Sequence, residues 1–286
     1  MEDIGARLLW RTRKIATFER KHGYTPDLEE PKKFSEKLLK RCLDDDDPHY
    51  RIYGLKLFAP YFLKSRNIQG LKFPERLKVT RHMEPSDFDD LPGSFVIKSS
   101  FGSGLNEIVL CKSQLQIEAV CQRFNSQRDK ILNARGNPDP ENCFIFEKLL
   151  TDTNLDTPDD YKFHCFHSDN GTFTFFLQID TDRYGAHRQT IFDQIFNVTD
   201  MQFGVRPPHE QVPKRPENFA DLARIAKEIS VGFDYVRVDL YNTIEGVFFG
   251  EITPFHQGGM GAVSPKKWDD HLGALWDQKF PSLQSP

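Results

Sequence analysis

A helix-first, strand-later order predicts an α+β chain. Three observations carry that expectation. Apolar residues at helical spacing fill the first third, short apolar runs bounded by turn signals begin near residue 70, and most strands follow one another as hairpins instead of alternating one for one with helices. The 286 residues suffice for one large domain or two intimate lobes.

Residues 3 to 20 form a basic amphipathic stretch, which Gly23-Tyr24-Thr25-Pro26 breaks. Pro31 then opens a second helix whose Phe34, Leu38, Leu39 and Cys42 share one stripe. The acids from Asp44 to Asp47 read as a solvated loop, since consecutive carboxylates in flexible chain are no preformed cage for a metal. A third helix is expected from His49 to Ser65, interrupted or kinked near Pro60. Strands FVIKSS and NEIVLC flank Phe101-Gly102-Ser103-Gly104, and FIFEKLL follows a polar helical stretch. YKFHCFH and TFTFFLQID bracket Ser168-Asp169-Asn170-Gly171, a hairpin turn signal. Between Pro216 and Val231, Phe219, Leu222, Ala223, Ala226 and Ile229 fall at helical spacing, and a last helix from Pro265 to Gln278 buries Trp268, Leu272, Leu275 and Trp276.

Composition narrows the function classes. The formal net charge of −4, with both signs interspersed, argues against a basic coat for nucleic acid. Five cysteines without a CxxC pair read as reduced core residues, and Cys111, Cys143 and Cys165 sit in apolar runs. No run approaches the ~20 apolar residues of a membrane span, and the first residues lack the apolar core of a signal peptide. A soluble cytoplasmic protein is expected.

Chemistry concentrates at three places. Strands YVRVDLY and VFFGEIT, joined by Asn242-Thr243-Ile244-Glu245-Gly246, carry one carboxylate each, Asp239 and Glu251. If the hairpin closes with one bulged residue, Arg237, Asp239 and Glu251 share a face, with the carboxylates about 5 Å apart. Like charges so placed destabilise a sheet unless a cation sits between them, and Mg²⁺ completed by water and nucleotide phosphates is one such cation. A solvated strand face is the alternative. In FVIKSSFGSG, Lys98 ends a buried strand and a Gly-Ser-Gly turn exposes backbone N–H groups to anions. An ordinary hairpin with a snorkelling lysine fits the same letters. GxxxxGK[ST] is absent, as are the HRD and DFG motifs of protein kinases. In FIFEKLL, Glu147 and Lys148 end an apolar strand that either meets an adenine edge or is a charged edge strand.

In order, a lysine strand, a glycine loop, a Glu-Lys strand end, an Arg-x-Asp strand and a Glu-containing strand resemble the parts of the ATP-grasp fold. The chain is similar in particular to the teichuronopeptide-biosynthesis, TupA-like branch. The resemblance runs from HGYTPDLEEPKKFSEKLL through FVIKSSFGSG, FEKLL and DYKFHCF to DYVRVDLY and GEIT, with GGMG behind it. It implies two α+β lobes gripping ATP, with a helical N-terminal extension over 1–68, an N-lobe over 69–146 and a C-lobe over 147–286. It further implies that Lys98 contacts the nucleotide phosphates beside Ser100, under a lid of Gly102, Ser103 and Gly104. Glu147, Lys148 and Leu150 resemble the segment receiving adenine; Asp160 resembles the ribose acid, with Lys162 near it. Asp239 and Glu251 look like the Mg²⁺ ligands, and Thr253 stands where the branch often has Asn. Leu55 stands where an acidic residue precedes the lysine, so no role carries over to Lys56.

Such a set would make an ATP-dependent, ADP-forming carboxylate–amine ligase, with an acyl phosphate formed first and Mg²⁺, Lys98 and Arg237 spreading the developing charge. The resemblance implies a uronic acid of surface polysaccharide as the acid and an amino acid or other amine as its partner. His256, in FHQGGMG, is a candidate to orient the acceptor or take a proton from the amine, against a plain packing role. Lys162, His164, Arg183, His187, Arg188 and Arg206 are candidates for an acid-binding wall, each also consistent with solvated surface. An ATP-grasp kinase and a nucleotide-binding scaffold without turnover stand as alternatives.

Overall fold

Apolar spacing places six helices and twelve strands along the residues that the computed structural model describes, namely 4–44, 50, 53–100, 106–135, 143–151, 158–181 and 187–278. The helices are α1 (Ile4–His22), α2 (Phe34–Asp44), α3 (Ala59–Ser65), α4 (Ile117–Arg135), α5 (Phe219–Ser230) and α6 (Lys266–Leu275). The first strands are β1 (Leu71–Lys72), β2 (Arg76–Thr80), β3 (Phe95–Ser99), β4 (Asn106–Val109), β5 (Phe144–Lys148) and β6 (Asp160–His167). After them come β7 (Phe173–Thr181), β8 (Arg188–Phe192), β9 (Gln202–Phe203), β10 (Tyr235–Thr243), β11 (Gly246–Thr253) and β12 (Val263–Ser264). The chain divides into two units, one of Met1–Tyr50, Asp159–Leu240 and Ile252–Pro286, the other of Arg51–Pro158 and Tyr241–Glu251.

In the first unit, β6 and β7 pair antiparallel from Asp160↔Asp180 to His167↔Phe173, and the intervening turn uses Gly171 at φ +82°. Only glycine adopts that left-handed backbone without strain. Strand order is β10-β6-β7-β8. The amphipathic α5 buries Phe219, Leu222, Ile225, Ala226 and Ile229. Phe34 and Leu38 of α2 join Phe166, Tyr235, Leu272 and Trp276 in one core, and Arg41 is sealed there at 0% exposure. Its guanidinium donates to the Tyr235 carbonyl at 2.6 Å, pairs with Asp234 and lies 4.4 Å from the Trp276 ring centroid.

The second unit holds an antiparallel sheet in the order β2-β5-β3-β4, and β1 runs parallel to β11. Phe88, Phe95, Ile97, Phe144 and Phe146 form its core with Val120 and Phe124 of α4. The third expected helix is interrupted, as its sequence reads: Tyr50, Tyr53 and Gly54 are helical, a turn closes at Leu55, which accepts from the Phe58 and Ala59 N–H groups at 3.0 Å, and α3 starts at Ala59. Pro60 falls in the first turn of α3, where its missing N–H costs nothing, so it opens the helix instead of kinking it. The second helix likewise begins at Phe34, three residues after Pro31. The Glu36 carboxylate accepts from the Lys32 and Lys33 N–H groups at 3.1 and 3.0 Å and fixes that start.

Candidate active site

Strand alternation makes the second unit's lysine site. Phe95, Ile97 and Ser99 point into the core, which sends Lys98 to the opposite face of β3. On β5, Glu147 lies in register with Val96, diagonal to Lys98, and Lys98 Nζ donates to Glu147 Oε2 at 2.7 Å. Burial alone would push the ammonium pKa down. The Glu147 charge outweighs it, helped by Tyr241 and Glu251, and Lys98 stays charged with its pKa raised.

This pair lines a cavity of about 350 Å³ whose walls also carry Lys56, Lys64, Arg76, Tyr61 and Phe73. Lys56 Nζ stands 3.6 Å from Glu251 Oε2, and Arg76 donates to the Leu57 carbonyl at 3.3 Å while facing the Tyr61 ring at 5.6 Å. Four cations against Glu75 and Glu147 suit a polyanion. The sequence reading assigned none of Lys56, Lys64, Arg76 or Tyr61. Tyr61 and Lys64 sit three apart on α3, a spacing that any solvated helix face shows, so no letter pattern marks them.

Other expected nucleotide contacts distribute differently. Lys148 is exposed, and its N–H donates to the Glu75 carbonyl at 2.9 Å; Leu150 is half-buried. Ser100 is buried, and its hydroxyl accepts from the Cys143 N–H at 2.9 Å, so it ties β3 to the start of β5. Gly102, Ser103 and Gly104 lie outside the described residues.

The first unit contains a denser charge cluster. Asp160 and Asp180 are direct cross-strand partners, an arrangement that repels unless a cation intervenes. Lys162 supplies it, with Nζ 2.9 Å from Asp160, 3.3 Å from Asp239 and 3.6 Å from Asp180. The sequence reading had not matched this pair. Arg237 grips Asp239 bidentately, Nε to Oδ1 at 2.7 Å and Nη2 to Oδ2 at 2.8 Å, and Nη2 also reaches Thr253 Oγ1 at 3.2 Å. Burial opposes the charge on Lys162, but Asp160, Asp239 and Asp180 together raise its pKa. Burial likewise works against an ionised Asp180, and Lys162 and Gln178 overcome it, so that pKa is lowered.

Of the candidates for an acid-binding wall, Lys162 and His187 each stand 3.6 Å from Asp180 Oδ2. Lys162 is spent on carboxylates. His164 is bracketed by Tyr235 OH at 3.0 Å and Gln178 Oε1 at 3.2 Å, stacks on Phe203 at 4.0 Å and has its pKa pushed down to about 3, chiefly by burial and then by Arg237. His187 lies 3.6 Å from Asp180, Arg188 donates to Glu210 at 2.5 Å, Arg206 is exposed, and Arg183 is outside the described residues. His256 is buried against Phe34, His164 and Phe203, and burial, then His164, keeps it neutral with its pKa well below the usual range. A Cβ on Gly261 would stand 2.3 Å from the His256 ring, so the imidazole packs on that backbone.

The donor chemistry suits ATP and Mg²⁺. In the first unit Asp239 and Thr253 offer only hard oxygens, and Asp239 is a buried carboxylate that already demands positive charge. Among the described residues, no three His, Cys, Asp or Glu side chains form a metal cage. Mg²⁺ needs only one or two carboxylates when phosphates and water complete its shell. No helix among the described residues is long and apolar enough to cross a membrane.

No curated protein matches this chain. Among solved structures it is similar to D-alanine-D-alanine ligase from Helicobacter pylori, at 14% identity and a TM-score of 0.44 over 73% of this chain and 56% of that one. It is similar also to L-amino acid ligase from Bacillus licheniformis, at 12% identity and 0.46 over 78% and 45%. A third is ATP-grasp ligase PsnB complexed with a phosphomimetic variant of minimal precursor, Mg and ADP, at 16% identity and 0.38 over 75% and 55%. The chain therefore spans about half the length of each. The model of the TupA-like ATP-grasp family matches residues 36–277, most of the chain. With that match, the chain belongs to the TupA-like ATP-grasp family and has the ATP-grasp fold.

Proposed function

We propose that this protein is an ATP-dependent, ADP-forming carboxylate–amine ligase. The observation that carries the reading is the cavity in which Lys98, paired with Glu147, stands with Lys56, Lys64 and Arg76. A nucleotide polyphosphate is the ligand whose charge and size such walls accommodate. Lys98 holds phosphate oxygens, Lys56 and Arg76 add charge, and Glu147 keeps Lys98 oriented as well as ionised. Leu150 and the backbone around Lys148 receive the base, and the role of residues 102–104 as a lid rests on the sequence. On the family resemblance alone, Asp239, Glu251 and Thr253 are the oxygens assigned to Mg²⁺, which when bound neutralises charge on the transferring phosphoryl group.

An acid substrate's carboxylate oxygen attacks the γ-phosphorus, the bond to the β–γ bridging oxygen breaks, and ADP leaves. The amine then attacks the acyl carbon, the C–O bond to phosphate breaks, and the amine's proton is released to solvent or a base. Arg237, on the same strand face as Asp239, stabilises the developing charge. His256 is assigned to holding the Phe255–Gly261 loop, because a sealed neutral imidazole packed on Gly261 has no open face for substrate. From the family resemblance, the acid is a uronic acid of surface polysaccharide and the amine an amino acid.

Incubation with ATP, Mg²⁺, a panel of uronic acids and an amino-acid mixture tests this, with ADP, phosphate and condensation products measured by mass spectrometry. Turnover requires both an acid and an amine. ADP formed with one acceptor, leaving that acceptor phosphorylated, would instead make the protein a kinase. Asp239→Asn and Glu251→Gln should each lower turnover by at least ~100-fold with unchanged melting; near-normal rates in either remove the metal assignment.

A further inference from the structure

Lys162 is an ammonium with three donors and three carboxylates around it, but only one of its contacts is short. Charge-assisted N–H···O bonds settle near about 2.7–2.9 Å. Asp160 Oδ2 stands at 2.9 Å as an ion pair, the hydrogen bond that Lys162 donates to Asp239 is a long 3.3 Å, and Asp180 lies at 3.6 Å. A small swing of Nζ brings Asp180 into hydrogen-bond range. The swing has a prepared destination. Gln178 Nε2 donates to both Asp180 oxygens, at 2.9 and 3.1 Å, and Gln189 Nε2 adds a bond at 3.4 Å, so Asp180 is held in place without Lys162.

Asp239 has the opposite problem. Arg237 already takes both of its oxygens, and Lys162 adds a second positive charge at Oδ2. A divalent cation approaching Asp239 meets both, at a residue that is only 4% exposed. Lys162 has other carboxylates within reach, Asp160 and Asp180. We propose that Lys162 is a movable counter-cation of Asp239, and that Asp180 is the positioning residue that receives it when a divalent cation takes Asp239. This rests on the ligase reading's assignment of Asp239 to the metal and adds Asp180, to which that reading gives no role.

Mn²⁺ serves as the probe, with a non-hydrolysable ATP analogue present. In a crystal of the wild-type protein so loaded, Lys162 Nζ should lie beyond ~4 Å from Asp239 and about 2.8 Å from Asp180. In solution, Asp180→Asn should weaken Mn²⁺ binding to the protein–analogue complex by about 10-fold. Analogue affinity in metal-free buffer should not change, which separates this role from a merely structural one. Unaltered Mn²⁺ affinity in the variant overturns the inference, as does Mn²⁺ on Asp239 with Lys162 still within 3.3 Å of it; both results leave the ligase reading standing. If Asp180→Asn does not fold, the wild-type crystal decides. A crystal with bound analogue but no metal at Asp239 overturns the metal assignment and this inference together.

Discussion

Lys98 and Lys162 are both strand lysines held ionised by carboxylates, yet they serve different ends. Among the described residues Lys98 pairs directly with one carboxylate, Glu147, and it lines a cavity; its side chain is 16% exposed. Lys162 faces three carboxylates, and its side chain is 7% exposed. An ammonium has three donors. The first lysine therefore keeps capacity for a ligand, whereas the second spends its charge inside the protein. A raised pKa is common to both, so the perturbation alone does not mark the binding residue. Partner count and access to a cavity do.

Exchanging the consequences of removing each lysine would break that contrast, and this comparison carries the largest expected effects. Lys98→Ala should cost at least ~100-fold in kcat/KM for ATP, with a melting temperature near that of the wild type, because water can reach the Glu147 left behind. Lys162→Met should instead lower stability by about 3–5 kcal/mol, since it leaves buried carboxylates without their cation. Thermal melts and steady-state rates on both variants check this. An unfolded Lys98→Ala, or a Lys162→Met that melts like the wild type, would show that the two lysines have been told apart wrongly.

A second sealed cation sharpens the comparison. Arg41 is fully buried, pairs with Asp234 and donates to the Tyr235 carbonyl, so it ties α2 to the start of the strand that carries Arg237 and Asp239. Arg41→Met should cost about 3 kcal/mol, the lower end of what breaking a buried pair costs, measured by urea denaturation. A loss under ~1 kcal/mol would place Arg41 with exposed pairs, which contribute no more than that.

These sealed sites were also the least legible part of the sequence. The strand containing Lys98 could be read because a lysine ending an alternating apolar run must face away from that run's core. The hairpin between β6 and β7 could be read from Ser168-Asp169-Asn170-Gly171, where the turn requires Gly171's positive φ. Asp239 stood out as one of two carboxylates on an expected hairpin, and Arg237, two residues away on one strand face, grips it bidentately. Lys162 was singled out for a substrate wall and, beside Asp160, for nucleotide binding; its contacts with Asp180 and Asp239 could not be read because both lie on other strands and only the register of β6 on β7 sets Asp160 opposite Asp180. His256 shows the same limit in reverse. Its position after β11 suggested chemistry, and only the packing of Phe34, from the far end of the chain, shows that it is enclosed.

The smallest expected effect concerns how well the Lys162 chamber excludes protons. His164, two residues along β6 from Lys162, sits buried between Tyr235 OH and Gln178, and its pKa is pushed down from 6.5 to about 3 by burial, with Arg237 and Lys162 adding to the shift. An unfolded chain takes up a proton on this imidazole below pH 6.5 that the folded protein refuses until about pH 3. The unfolded state therefore binds more protons throughout that window. Stability from His164 is fully present above pH 6.5 and falls as the pH drops, at up to about 1.4 kcal/mol per pH unit. His256, lowered in the same direction, adds to the slope, whereas the lowered pKa of Asp180 acts only below its ordinary 3.8. His164→Gln should remove the His164 share, so urea midpoints compared between pH 6.5 and 5 should fall less steeply in the variant than in the wild type. Parallel slopes would mean that folded His164 accepts the proton as readily as unfolded chain does. The chamber around Lys162 would then be open to water, and the distinction between the two lysines would reduce to the number of their partners.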